Sequence, residues 1–162
     1  MDNIEKLAAE LGATLKARGY KLALAESCTG GMAAQAVTSV AGSSAWFDRG
    51  FVTYSNQAKI DMLGVSPQTL EKFGAVSEET AGEMVLGCLK NSQAQIAGSI
   101  TGIAGPDGGT VDKPVGTVCF AWAEISLPVI TVTKKFNGNR EEIRQQATTF
   151  LVCQLIKHLK QP

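Results

Sequence analysis

The sequence predicts an α/β protein, a three-layer α/β/α sandwich around a mixed β-sheet, built as one domain over residues 1–162. Three observations lead there. Segments with the helical period alternate with short apolar or β-branched runs along the chain, the pattern of helices packed on a sheet. Two late runs, 117–125 and 129–136, follow each other across a short turn at Ser126-Leu127-Pro128 and read as an antiparallel pair, which makes the sheet mixed. No repeat, low-complexity tract or proline-rich linker divides the chain. At this length a folded chain buries roughly 70% of the surface it exposes unfolded, enough for a core without staples.

In order along the chain, Ile4, Leu7, Ala8, Leu11 and Leu15 keep the helical spacing, and Gly19 follows the basic Lys16 and Arg18 as a stop. Residues 21–26 form a short buried strand that runs into Ser27-Cys28-Thr29-Gly30-Gly31. Met32, Ala33, Ala36, Val37 and Val40 then restore the helical period. The aromatic and β-branched stretch 46–54 is a strand. Asn56 is placed to cap a short helix carrying Lys59 and Leu63 and ending at Gly64. Ser66-Pro67 opens another short helix. Ser77-Glu78-Glu79 opens a longer one with Ala81, Met84, Val85, Cys88 and Leu89 on one face. A strand at 95–101 enters a glycine-rich loop, and Asn139 with Glu142 makes a capping-box start to a last helix over 140–160.

Composition excludes several classes of function. Fifteen basic residues balance fifteen acidic ones with no block of like charge, so neither nucleic acid nor a membrane surface is an expected partner. No window approaches the length of a membrane span, and the start of the chain lacks the pattern of a signal peptide. Cys28, Cys88, Cys119 and Cys153 form no C-x-x-C pair and read as reduced thiols of a cytoplasmic protein. His158 is the only histidine. Its place between Lys157 and Lys160 suits a cation in the last turn of the final helix, so a hydrolase built on this chain is expected to use a base other than histidine.

Ser27 is the leading candidate nucleophile, because a serine at a strand-to-helix turn lies beside backbone donors able to hold an oxyanion. On pattern alone, a serine serving only the turn is the competing reading. Cys28 is the neighbouring alternative, without a histidine to make it a thiolate. Lys59 is the candidate base: in the first turn of its helix the positive helix end disfavours an ammonium and lowers its pKa, while a solvent-facing lysine is the ordinary alternative. The loop 102–109 suits a phosphate cradle but lacks a Walker ending and the dinucleotide fingerprint. Glu26, Asp107 and Asp112 do not form a metal-binding pattern. Arg140, at a helix start, suits a ligand phosphate, with a salt bridge to Glu141 or Glu142 as the alternative.

The stretches LALAESCTGG at 22–31, AGSSAWFDRGFVTYSNQAK at 41–59, GAVSEETAGEM at 74–84, SITGIAGPDGGTVDKPVGTV at 99–118 and FNGNREEIRQQA at 136–147 together resemble the CinA C-terminal domain, or nicotinamide-nucleotide amidase, family. The match is similar to its stand-alone members, without the extra N-terminal domain of larger CinA proteins. The resemblance implies hydrolysis of the carboxamide of nicotinamide mononucleotide in pyridine nucleotide recycling. It implies a Ser/Lys mechanism that falls on Ser27 and Lys59, with no cofactor and no metal. Tyr54, Thr101 and Arg140 match family positions that line the pocket; on this reading backbone N–H groups at Cys28, Thr29, Gly30 and Gly31 hold the oxyanion, and Gly102 and Gly105 contact substrate from the glycine-rich loop. A non-catalytic nucleotide-binding module linked to competence or DNA damage is the rival reading, and self-association is left open.

Overall fold

Residues 2–162 are described by the structure, a computed structural model. Five strands form one mixed sheet: β1 (Leu22–Glu26), β2 (Phe47–Val52), β3 (Ile96–Gly102), β4 (Thr117–Glu124) and β5 (Ile130–Lys135), in the order β2-β1-β3-β4-β5. The first three are parallel, and β4 and β5 add antiparallel to β3. Helices α1 (Asp2–Arg18), α2 (Met32–Thr38) and α6 (Arg140–Leu159) cover one face; α3 (Asn56–Leu63), α4 (Pro67–Phe73) and α5 (Glu78–Lys90) cover the other. The three-layer sandwich expected from the sequence is the fold observed.

Strand alternation divides the core in two. Leu22, Leu24, Ile96, Ile100, Val118, Phe120 and Trp122 point to the α1/α2/α6 side, where Leu11, Leu15, Val37, Leu151 and Leu155 fill the space. The opposite face carries Ala23, Ala25, Ala97, Cys119, Ala121 and Ala123. Small residues there let α5 lie close on the sheet through Ala81, Met84, Val85 and Cys88. The strand ends differ from expectation by a residue or two, and a 3-10 turn at Ser43–Ala45 joins α2 to β2.

One local correction concerns α3. Its N-cap is Ser55, whose hydroxyl accepts from the Ala58 N–H at 3.0 Å, and Asn56 is the first helical residue. The other three caps follow the sequence, and Ser66 caps α4 through the Gln68 and Thr69 N–H groups. Ser77 caps α5, and Asn139 and Glu142 bond reciprocally at the start of α6.

The chain passes from β1 to β2 over one face and from β2 to β3, across β1, over the other. In sheets of this kind the crevice for a ligand opens beyond the carboxyl ends of the strands, where the connections diverge. Here Ser27 follows β1, Thr53 and Tyr54 follow β2, and Ile103 follows β3. His158 lies at the far end of the sheet. It contacts Glu124, which pairs with Ile96 at the start of β3, about 20 Å along the strand from Gly102.

Position within this end depends on how α3 docks. A Cβ on Gly87 of α5 would lie 1.9 Å from the Leu63 carbonyl oxygen at the end of α3, so the two helices can be this close only with glycine there. Gly87→Ala is expected to cost about 3 kcal/mol, the upper part of the usual range for overpacking a core. Urea denaturation measures it, and a midpoint equal to the parent's would mean that α3 moves aside without cost.

Candidate active site

The turn after β1 is held from three sides. Ser27 N–H donates to the Ile100 carbonyl of β3 at 3.0 Å, and Thr53 N–H donates to the Glu26 carbonyl at 2.8 Å. Gly30 N–H closes the turn on the Ser27 carbonyl at 3.0 Å. Gly30 and Gly31 have φ values of 56° and 106°, in the region that favours glycine, and this lets the chain reverse into α2. The carboxylate of Glu26 is buried beneath. It accepts from Thr29 Oγ1 at 2.6 Å, Gly31 N at 3.2 Å, Ala33 N at 2.9 Å and Ala34 N at 2.9 Å. A buried carboxylate so surrounded is satisfied by N–H and O–H donors and by the positive helix end.

Lys59 projects from α3 toward Ser27 and is 1% exposed. Its Nζ lies 2.9 Å from Ser27 Oγ, 3.0 Å from the Thr53 carbonyl and 3.3 Å from the Tyr54 carbonyl. No carboxylate faces it among its hydrogen-bond partners. Burial pushes the Lys59 pKa below the ordinary lysine value, against an opposing effect of Cys28. The direction is the one expected from the sequence, but its main cause is burial under the strand ends rather than the helix end. Cys28 moves the other way. Burial raises its thiol to about 11, with Arg144 opposing, so it is a thiol at neutral pH.

A cleft of about 280 Å³ opens above this pair. Of the residues proposed from the sequence, Ser27, Cys28, Tyr54, Lys59, Thr101, Gly102, Gly105 and Arg140 line it, joined by Asn56 and Asp107. Thr29, Gly30 and Gly31 do not. Thr29 is fully buried with its hydroxyl on Glu26, and the amides of Gly30 and Gly31 are spent on Ser27 and Glu26. The start of α2 is therefore closed to an oxyanion. The Cys28 N–H is left, bordering the cleft with no acceptor in any other described residue.

Arg140 makes no ion pair with Glu141 or Glu142. Glu142 is engaged in the capping box, and the Arg140 guanidinium reaches across the cleft mouth, donating to the Gly105 carbonyl at 2.8 Å and to the Tyr54 hydroxyl at 3.0 Å. Thr101 Oγ1 is turned to the Ala75 carbonyl at 2.8 Å, so it braces the cleft wall. Among the described residues no three His, Cys, Asp or Glu side chains group to hold a metal, and no helix is long and apolar enough to cross a membrane. All four cysteines are unpaired.

Sequence reasoning missed two charged residues that shape the site. Glu26 carried a signal in its place at the end of a buried strand, three residues before Thr29. Arg144, which donates to the Cys28 and Thr29 carbonyls, carries no local signal beyond its place one turn after Arg140.

Known proteins resemble this chain over most of its length. The CinA C-terminal domain profile matches residues 4–159. Nicotinamide-nucleotide amidohydrolase PncC of Enterobacter agglomerans is 56% identical over 147 residues, covering 91% of this chain and 90% of that protein. PncC of Escherichia coli K12 is 54% identical over 145 residues, covering 90% of this chain and 88% of that protein. The crystal structure of competence/damage-inducible protein CihA from Agrobacterium tumefaciens superposes with a TM-score of 0.95 at 46% identity, covering 98% of this chain and 96% of that one.

The buried lysine leaves a thermodynamic trace. With its folded pKa below the unfolded value of 10.5, the unfolded chain binds more protons at Lys59 than the folded chain does between those two values. Stability contributed at this position therefore rises with pH through that window. The stability of the parent relative to Lys59→Met, from urea denaturation at successive pH values, is expected to grow toward pH 10.5. A flat difference would mean that Lys59 titrates as a solvated lysine.

Proposed function

The chain belongs to the CinA C-terminal domain family, and we propose from that premise that it hydrolyses the carboxamide of nicotinamide mononucleotide to nicotinate mononucleotide and ammonia, in pyridine nucleotide recycling in the cytoplasm. The observation that carries the chemistry is the buried contact of 2.9 Å between Lys59 Nζ and Ser27 Oγ.

A neutral lysine fits its surroundings. Its two N–H bonds donate to the Thr53 and Tyr54 carbonyls, and its lone pair accepts the Ser27 hydroxyl proton. Ser27 Oγ attacks the amide carbon as Lys59 takes that proton, and the Cys28 N–H supports the oxygen that gains charge. Lys59 then gives the proton to the amide nitrogen, the C–N bond breaks, and ammonia leaves an ester on Ser27. Water attacks the ester carbon while Lys59 accepts its proton. That proton returns to Ser27 Oγ as the C–O bond breaks, and the acid is released.

Arg140 is the group we assign to the substrate phosphate. Two of its five N–H bonds hold Gly105 and Tyr54, and the rest remain for an anion at the cleft mouth.

Two experiments test the reading. In an assay of ammonia release from nicotinamide mononucleotide, Ser27→Ala and Lys59→Arg are each expected to fold and to lose roughly 10³-fold or more in turnover, the arginine variant because a guanidinium stays charged. A parent protein that binds the nucleotide and releases no ammonia would favour the non-catalytic module. Arg140→Ala is expected to raise KM by about 1.5–3 kcal/mol in binding and to narrow the preference for the mononucleotide over the riboside. An unchanged preference would move the phosphate to the loop at 102–109.

A further inference from the structure

Arg144 lies outside the cleft lining, yet it reaches from α6 to Cys28, 116 residues away in sequence, in the turn that carries Ser27. Its Nε donates to the Cys28 carbonyl at 3.0 Å and its Nη2 to the Thr29 carbonyl at 3.0 Å. This two-point grip fixes peptide planes, not only a segment of chain. In a trans peptide the carbonyl and the N–H point in opposite directions, so holding one aims the other.

Holding the Thr29 carbonyl aims the Gly30 N–H away from Arg144, where it meets the Ser27 carbonyl at 3.0 Å. That bond fixes the peptide between Ser27 and Cys28, whose other end is the Cys28 N–H at the cleft. Holding the Cys28 carbonyl fixes the plane between. Three successive peptides, 27–28, 28–29 and 29–30, are thus pinned, two of them by one guanidinium. Glu26 takes the N–H groups beyond the turn, at Gly31, Ala33 and Ala34, so the two charged side chains grip opposite polarities of the same backbone.

We propose that Arg144 is a positioning residue for acyl transfer, aiming the Cys28 N–H at the oxygen that becomes negative when Ser27 attacks. The proposal rests on Ser27 being the nucleophile. The planar fork is what the role needs. A lysine presents a point charge able to hold one carbonyl well, and a glutamine presents a single short amide. Arg144 lies outside the cleft lining and is not a hydrogen-bond partner of Lys59, so the ground-state complex and the titration of the base should not depend on it.

The test measures ammonia release from nicotinamide mononucleotide by the full chain, as kcat and KM across pH, for the parent, Ser27→Ala, Arg144→Lys and Arg144→Gln. The expected result is a kcat loss of roughly 10- to 100-fold for Arg144→Gln, below the effect of deleting an oxyanion donor outright, and a smaller loss for Arg144→Lys. KM should stay within about 3-fold, and the pH limb of kcat should remain where the parent has it. Parent-like kcat in Arg144→Gln overturns the proposal, as does a kcat loss accompanied by a shifted pH limb, which would put Arg144 in support of Lys59. If Arg144→Gln fails to fold, Arg144→Lys decides by the same criteria. Activity retained in Ser27→Ala overturns the nucleophile itself, separately from Arg144.

Discussion

The site depends on a buried carboxylate. Glu26 ends the middle strand of the parallel group, with β2 on one side and β3 on the other, and it is 1% exposed. A charge in that position is costly unless its oxygens are satisfied, and the available donors are the hydroxyl and amides of the chain that follows it. The chain must therefore curl over Glu26 and enter α2 with its first N–H groups turned inward. Ser27 is lifted to the rim by that curl. The same bonds explain why the start of α2 cannot serve as an anion site, although its N–H groups and its position beside Ser27 suggest one.

Lys59 is the second charged group placed where the core would accept an apolar one. It shares the buried face of α3 with Leu63, four residues on. Its amine has three backbone or hydroxyl oxygens around it and no carboxylate. An ion pair would keep it protonated, whereas carbonyl acceptors satisfy a neutral amine equally well. Burial then sets the direction of the pKa shift, and the cost of burying the amine falls on the stability of the folded chain.

What the sequence made legible follows from how local each feature is. Period, caps and turn residues are local, and every strand and helix read from them is present in the expected order. Ser27 was legible because a strand-turn-helix passage is a local pattern. Lys59 was singled out through an effect of the helix end, while the larger cause is burial by β1, β2 and the turn, which no spacing within 56–63 encodes. Asn56 was mistaken for the cap because Ser55 and Asn56 are both good cap residues one position apart. Arg144 had only its helical spacing from Arg140 to recommend it, and its partners lie in another part of the chain.

That spacing gives α6 a wider part in the site than a covering helix would have. Arg140 and Arg144 are one turn apart and lie on neighbouring surface positions. One holds the loop after β3 and the hydroxyl of Tyr54, and the other holds the turn after β1. The two walls of the cleft and Ser27 between them are thus referred to a single rigid rod. The rod is anchored in turn by Ile143, Ala147, Leu151 and Leu155 in the larger half of the core. Because an α-helix changes length little, the distance between the arginine at the cleft mouth and the turn that carries Ser27 is set by the helix rise rather than by loop conformation. Loops after parallel strands are the mobile part of such folds. Tying two of them to one helix gives a fixed geometry to a site built on loops.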